Sequence, residues 1–354
     1  MTTTKPRLRD LGIQIGSLPP GPTNSITDVP GVLVGMCTVI ADAPSLVRTG
    51  VTAIFPSPDI HTHAVFAAAH VFNGIGELTG LTYIEETGQL ISPVLLTGTL
   101  SLGAVHEAIV RYGTEKYGAF TFSLPVVGET YDGWLSDPKA FPLTTEHVNA
   151  AIEAASDRGV DEGNTGGGTG MICYEFKGGT GSASRVVQVL DQSYRVGALV
   201  QANHGDRGQL TVGGVNVGAK IGSEVVPLPW QAEPGASSIL VIIATDAPLL
   251  PNGCKRLAQR ATVGLARTGG YGLNGSGDIF LAFSTGNRIP RSSSSLHRHD
   301  CVPFFEMDNL ILATAEAVEE AILNALVAAE TMTGRGGHTA HALPHDQLVR
   351  AVLG

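Results

Sequence analysis

Long apolar runs are missing from this chain, and so is any excess of positive charge. No apolar segment approaches the ~20 residues that a membrane-spanning helix needs, which excludes a transmembrane anchor of that kind. Lysine and arginine together number 22 against 32 aspartates and glutamates, a formal charge of -10. With no basic stripe and no alternation of basic with aromatic residues, neither nucleic acid nor an anionic membrane is an expected partner. Cysteine is scarce as well. Cys37, Cys173, Cys254 and Cys301 are far apart and none has CxxC spacing, so they read as reduced core thiols and not as a disulfide framework or a metal site. Met1 to Asp10 carries charge with no apolar stretch behind it, the pattern of a chain without a secretory leader. These absences leave small-molecule chemistry in the cytoplasm as the expectation.

What is present points to a large core. The 354 residues are 43% hydrophobic and only 15% charged, enough to bury an extensive interior. No Ser/Gly/Pro-rich linker divides them, so residues 1–354 are expected to form a single composite domain. Short apolar segments beside Gly or Pro read as buried strands: 32–34, 51–55, 94–96, 119–122, 186–189, 196–200 and 239–244. Helical spacing predicts helices over 147–155, 254–266 and 309–332, the last capped by Asp308, stopped by Gly334, and apolar on most sides. Such a mixture predicts an α/β (α+β) layered protein. The polar stretch holding Ser292 to Ser295 and running to Asp300 is predicted to be an exposed loop.

Four segments could carry chemistry. Asn164 to Gly170 is glycine-rich like a phosphate cradle, but glycines follow Lys177 where a P-loop needs serine or threonine. It reads as a turn that lets backbone pass close to an active site, and no cofactor is expected. Asp59-Ile60-His61-Thr62-His63 follows a strand and resembles the metal-binding entry of the amidohydrolases, with His61 and His63 on one side of an extended chain. Its competing reading is a polar surface loop. Gly272 to Asp278 is a turn whose Ser276 and Asp278, two residues apart, face the same way if extended. Finally, Pro234-Gly235-Ala236-Ser237-Ser238 places hydroxyls between an accessible loop and the buried run 239–244. That arrangement suits a serine nucleophile released by cutting the chain just before it.

Taken in order, several segments resemble the DmpA and β-peptidyl aminopeptidase family over nearly the whole chain. They are Ile26 to Val32, Phe72 to Gly80, Gly128 to Gly133, Gly163 to Gly170, Val200 to Asn203, Ala244 to Leu249, Asn274 to Asp278 and Glu330 to Gly334. The resemblance implies an αββα four-layer sandwich, similar to the N-terminal nucleophile hydrolases but connected as in the ornithine acetyltransferases. It implies self-cleavage into 1–237 and 238–354 and a homotetramer of αβ heterodimers. The implied activity is removal of an N-terminal residue from short peptides, amides or esters through an acyl-enzyme. Position by position, Ser238 matches the nucleophile, Ser276 and Asp278 the pair supporting it, Asn203 the oxyanion asparagine, and Glu129 the acid that holds the substrate amine. Because Ser237 and Ser238 are adjacent, a cut before either is possible. The segment 131–141 is expected to line the substrate pocket. Three other readings stand beside this one: a metal-dependent amidohydrolase using His61 and His63, a binding protein of the same fold that never processes itself, and an acyltransferase whose acyl-enzyme is resolved by an amine, although the ornithine acetyltransferase relatives use threonine where this chain offers Ser238.

Overall fold

The computed structural model describes residues 5–230 and 237–354. Pro234, Gly235 and Ala236, read above as an accessible loop, lie outside the described residues. Ten strands and six helices position the site: β1 (Leu33–Ala41), β2 (Val47–Phe55), β3 (His63–Gly74), β4 (Gln89–Leu90), β5 (Val94–Gly98), β6 (Val126–Thr130), β7 (Gly179–Val189), β8 (Gln192–Asn203), β9 (Ser237–Thr245) and β10 (Ser276–Pro290), with α1 (Leu81–Thr87), α2 (Leu102–Tyr117), α3 (Thr145–Glu153), α4 (Pro251–Arg267), α5 (Asp308–Val327) and α6 (His345–Leu353). One sheet has four strands in the order β1-β2-β5-β6, the other six in the order β4-β3-β10-β9-β8-β7. β9 and β10 run parallel, so a crossover must join them, and α4 is that crossover.

Strand alternation sorts the core into two parts. Along β9, Leu240, Ile242 and Ala244 point into the space between the sheets, where they meet Leu96, Val127 and Leu281. Ile239, Val241 and Ile243 point the other way, onto Leu257 and Leu265 of α4 and Val318 and Ile322 of α5. On the far side, the four-stranded sheet is covered by Val105 and Ile109 of α2 and Val148 and Ile152 of α3. The order is therefore helices, sheet, sheet, helices, the αββα sandwich expected.

The predicted helix over 309–332 begins in place but ends early, at Val327. Asp308 is its first residue and Met307 its cap. Beyond the end, the Asn164 side chain bonds both the carbonyl and the amide of Glu330, and Met332–Thr333 pairs with Thr339–Ala340. With its backbone groups taken, this segment cannot continue the helix. Gly334 is not a helix stop; it packs against the Leu135 backbone in the turn that joins those two segments. Nor is α5 simply apolar: Glu316, Glu319 and Glu320 are buried with it. Fully buried Arg185 of β7 bonds Glu316 at 3.0 Å and Glu320 at 2.6 Å, and Arg9 bonds Glu320 at 2.7 Å.

The predicted strand over 119–122 is a turn. Gly118 ends α2, Phe120 and Phe122 have φ of 66° and 56°, and Phe122 folds back onto Tyr117 and Gly113 of the helix. Of the cysteines, Cys173 and Cys254 are buried, Cys37 is half-buried and Cys301 exposed, all with free thiols. The serine-rich stretch 291–298 is exposed throughout. Among the described residues, no helix is long and apolar enough to cross a membrane.

Candidate active site

The amino end of β9 is where the predicted residues gather. Its first residue, Ser237, pairs with Ser276 of β10. Ser238 lies beside Gly277 of β10 on one side and opposite Asn203 of β8 on the other. Alternation gives the two serines different surroundings: Ser238 shares the inter-sheet face with Leu240, and Ser237 shares the helix-covered face with Ile239.

Ser276 and Asp278 face the same way on their extended strand, as their spacing predicts. The Ser276 hydroxyl donates to Asp278 Oδ1 at 2.6 Å, and its oxygen lies 3.0 Å from the Ser237 hydroxyl. With the Ser276 proton committed to the carboxylate, Ser237 is the donor of the second bond. The sequence points to Ser238, yet the hydroxyl resting on this relay belongs to Ser237, because in an uncut strand only the odd-numbered face meets Ser276. Burial pushes the Asp278 carboxyl up to about 6, while Ser276 and the backbone of Ile239 pull it down.

Asn203 is held by its amide. Oδ1 accepts from the Ile172 N–H at 2.8 Å, which fixes Nδ2 as the donor end, 3.3 Å from the Tyr131 carbonyl. The glycine-rich segment shapes this neighbourhood. A β-carbon on Gly167 would lie 2.1 Å from the oxygen of Gln201, two residues before Asn203. Only a bare backbone passes there, so the segment serves close packing beside the site.

Glu129 comes from the other sheet, near the end of β6. One of its oxygens accepts the Glu77 N–H at 2.9 Å, and the other makes a very short bond with the Thr99 hydroxyl. Gly76 connects it to the serines: a β-carbon there would meet Gly277 at 3.1 Å and Glu129 Oε1 at 3.4 Å. Asp132 was not singled out by the sequence reading. It is buried against Gly98, and burial, with the nearby Glu129 charge, raises its carboxyl to about 6. Within the expected pocket segment, Tyr131 touches Asn203 through its carbonyl, and Asp132, Pro138 and Phe141 line a small cleft with Leu100.

The proposed metal site does not assemble. His61 stacks on Tyr117 with ring centres 4.1 Å apart, and His63 bonds Asp59 at 2.9 Å, an aspartate also paired with Arg288. Among the described residues, no three His, Cys, Asp or Glu side chains converge as metal ligands. The segment is a turn opening β3, and the amidohydrolase reading is set aside.

Comparison with known proteins accounts for this arrangement. Residues 24–340 match the profile of peptidase family S58. The chain belongs to that family. It is 43% identical to the beta-peptidyl aminopeptidase BapA of Sphingosinicella microcystinivorans, over 98% of this chain and 92% of that protein. The Burkholderia sp. beta-aminopeptidase superposes with a TM-score of 0.90 at 47% identity, covering 98% of each chain. The L-aminopeptidase D-Ala-esterase/amidase of Ochrobactrum anthropi, described as a prototype of the serine aminopeptidases and a variant of the Ntn hydrolase fold, superposes at 0.89 with 44% identity over 99% of this chain and 98% of that one. As an S58 member the chain is a hydrolase of the aminopeptidase and amidase type with an Ntn-hydrolase-like fold. A serine nucleophile agrees with the family.

Proposed function

We propose that this S58 peptidase is made as an inactive precursor, cuts itself between Ser237 and Ser238, and then releases N-terminal residues from short peptides, amino-acid amides or esters with Ser238 as nucleophile. The observation that carries this reading is the register at the start of β9, which sets Ser238 between Asn203 and Gly277 and its preceding residue beside the Ser276–Asp278 pair. Relatives named for β-peptidyl and for L-amino acyl or D-alanyl substrates leave L-, D- and β-amino acyl groups all within scope.

In the first step Ser238 Oγ attacks the Ser237 carbonyl carbon. Once Ser238 Oγ turns toward the Ser276–Asp278 pair, its proton passes through Ser276 to Asp278 and returns to the nitrogen as the C–N bond breaks, leaving that nitrogen as the α-amine of Ser238. Water then cleaves the ester, leaving Ser237 as a carboxylate. In turnover the new amine is the base, and Ser276 and Asp278 hold its ammonium form and the Ser238 hydroxyl in place through hydrogen bonds. Unperturbed, the amine titrates near ~7.7–8.0, so a useful fraction is neutral at physiological pH. It takes the Oγ proton as the substrate carbonyl is attacked and returns it to the leaving group. Asn203 Nδ2 donates to the developing oxyanion, a role whose loss typically costs about 2.7–4 kcal/mol. Glu129 receives the substrate's ammonium, which favours free N-termini, because a blocked substrate would leave its buried carboxylate without a cation.

A second reading has one observation in its favour: the Ser237 hydroxyl is the one bonded to Ser276, so Ser237 could be the residue exposed by the cut. Denaturing intact mass spectrometry of the purified protein separates the readings. Fragments 1–237 and 238–354 are expected; 237–354 would move the nucleophile to Ser237, and one stable 36.7 kDa chain would leave a non-processing binding protein.

Self-cleavage is also expected to depend on pH through Asp278. The carboxyl, raised to about 6, must be ionised to accept through Ser276. The processing rate of freshly refolded precursor should therefore fall as pH drops through about 6, and Asp278→Asn should slow processing at every pH and erase that limb. A rate independent of pH between about 4 and about 8, roughly two units on either side of the raised value, would remove Asp278 from the step. Assembly as a tetramer of αβ heterodimers in the cytoplasm completes the proposal, supported by the family resemblance and by four free thiols.

A further inference from the structure

Behind the Ser237–Ser276–Asp278 relay lies a cavity of about 10 Å³, room for about one water molecule. It is walled by His204, Gln209, Leu265, Tyr271, Ser237, Ser276 and Asp278. Three of these residues carry a buried polar atom with no partner among the described residues: His204 Nε2, Gln209 Oε1 and Asp278 Oδ2. Buried polar atoms are rarely left unpaired, because each costs the desolvation of the group. Three on the walls of one small cavity point to a shared ligand.

Their donor and acceptor characters define it. The Cys173 sulfur lies 3.7 Å from His204 Nδ1. Burial raises that thiol to about 12 and drives the imidazole down to about 3, so the thiol keeps its proton and the ring is neutral. With the thiol as donor to Nδ1, the ring proton lies on Nε2, which makes Nε2 a donor. Gln209 spends its amide N–H on the Tyr271 hydroxyl at 3.0 Å, leaving Oε1 as an acceptor. Asp278 Oδ1 is occupied by Ser276, leaving Oδ2 as the second acceptor. One donor and two acceptors match a single water, which accepts one hydrogen bond and donates two.

We propose that this cavity holds an ordered water bonded to His204 Nε2, Gln209 Oε1 and Asp278 Oδ2, and that His204 and Gln209 are positioning residues that act through it on the Asp278 carboxylate. The proposal deepens the reading of Asp278 as part of the catalytic relay and rests on it. With a bond at each oxygen, the carboxylate is kept in its orientation toward Ser276.

The test combines a high-resolution crystal structure with steady-state kinetics of the processed enzyme on an amino-acid amide. A water within hydrogen-bond distance of all three atoms is expected, lost in Gln209→Leu. In that variant kcat should fall about tenfold, the scale of one hydrogen bond in the transition state, with KM unchanged. His204→Phe should behave alike, and Gln209→Leu, at a half-exposed position, covers the case in which it fails to fold. A dry cavity, or His204 bonded directly to Asp278, overturns the water site. A water present in the wild type with unaltered kcat in Gln209→Leu overturns the positioning role. If the chain never cuts itself, the catalytic reading fails separately, and the electron density of the uncut protein still decides the site.

Discussion

Ser238→Ala is expected to remain a single chain and to lose essentially all aminopeptidase activity, with a fall in kcat on the order of 10⁶, as for other serine nucleophiles. Two functions disappear with one oxygen: the attack that opens the peptide bond before residue 238, and the attack on substrate afterwards. Ser237→Ala is the informative contrast. It removes the hydroxyl now 3.0 Å from Ser276 but keeps the peptide and the nucleophile, so processing should continue, at an altered rate, and the mature enzyme should have normal kcat. Intact mass and turnover on one amide substrate read both variants. If Ser237→Ala blocks cleavage and Ser238→Ala does not, the roles are reversed.

The second large effect is on stability. Arg185 is fully buried between β7 and α5, and it donates to Glu316, Glu320 and the carbonyls of Ser184 and Ile15. Arg185→Leu fills part of the space but leaves Glu316 without a cation and Glu320 with Arg9 alone. Breaking a buried pair by removing one partner typically costs about 3–5 kcal/mol, because a desolvated charge is stranded. Denaturant unfolding of the Arg185→Leu protein should show a loss of that size. The exposed Arg111–Glu107 pair on α2 provides a control, and Arg111→Leu should leave the transition where it is. A small effect at Arg185 would mean that the glutamates take up protons or that water reaches them.

Much of this molecule was legible in its residues where the signal is local. The run 239–244 alternates between two apolar environments and can only be a strand buried on both faces. The i, i+2 spacing of Ser276 and Asp278 gave their shared direction. Asn203 and Glu129 are different: one reaches Ser238 through the antiparallel register of β8 and β9, the other through Gly76 from a separate sheet, and no spacing along the chain encodes either approach. They were assigned through the family resemblance. The errors have the same origin. The end of α5 was missed because Asn164, more than a hundred residues away in sequence, takes the backbone groups of Glu330. The burial of the glutamates on α5 has no local signal either, because their partners, Arg9 and Arg185, come from distant segments. His204 and Gln209 gave no signal, since what distinguishes them is the unpaired state of single atoms in the folded protein.

A cut before Ser238 would fall at the amino end of a central strand. β9 would become the first strand of its own polypeptide while still lying between β8, from the first piece, and β10, from the second. α5, also from the second piece, stays bound to Arg9 and Arg185 of the first. Each of the two large core clusters draws residues from both sides of the cut, so each piece buries part of its interior against the other. Such a cut would convert a folding reaction of one molecule into an association of two, and recovery from full unfolding would acquire a dependence on protein concentration that the uncut chain does not have.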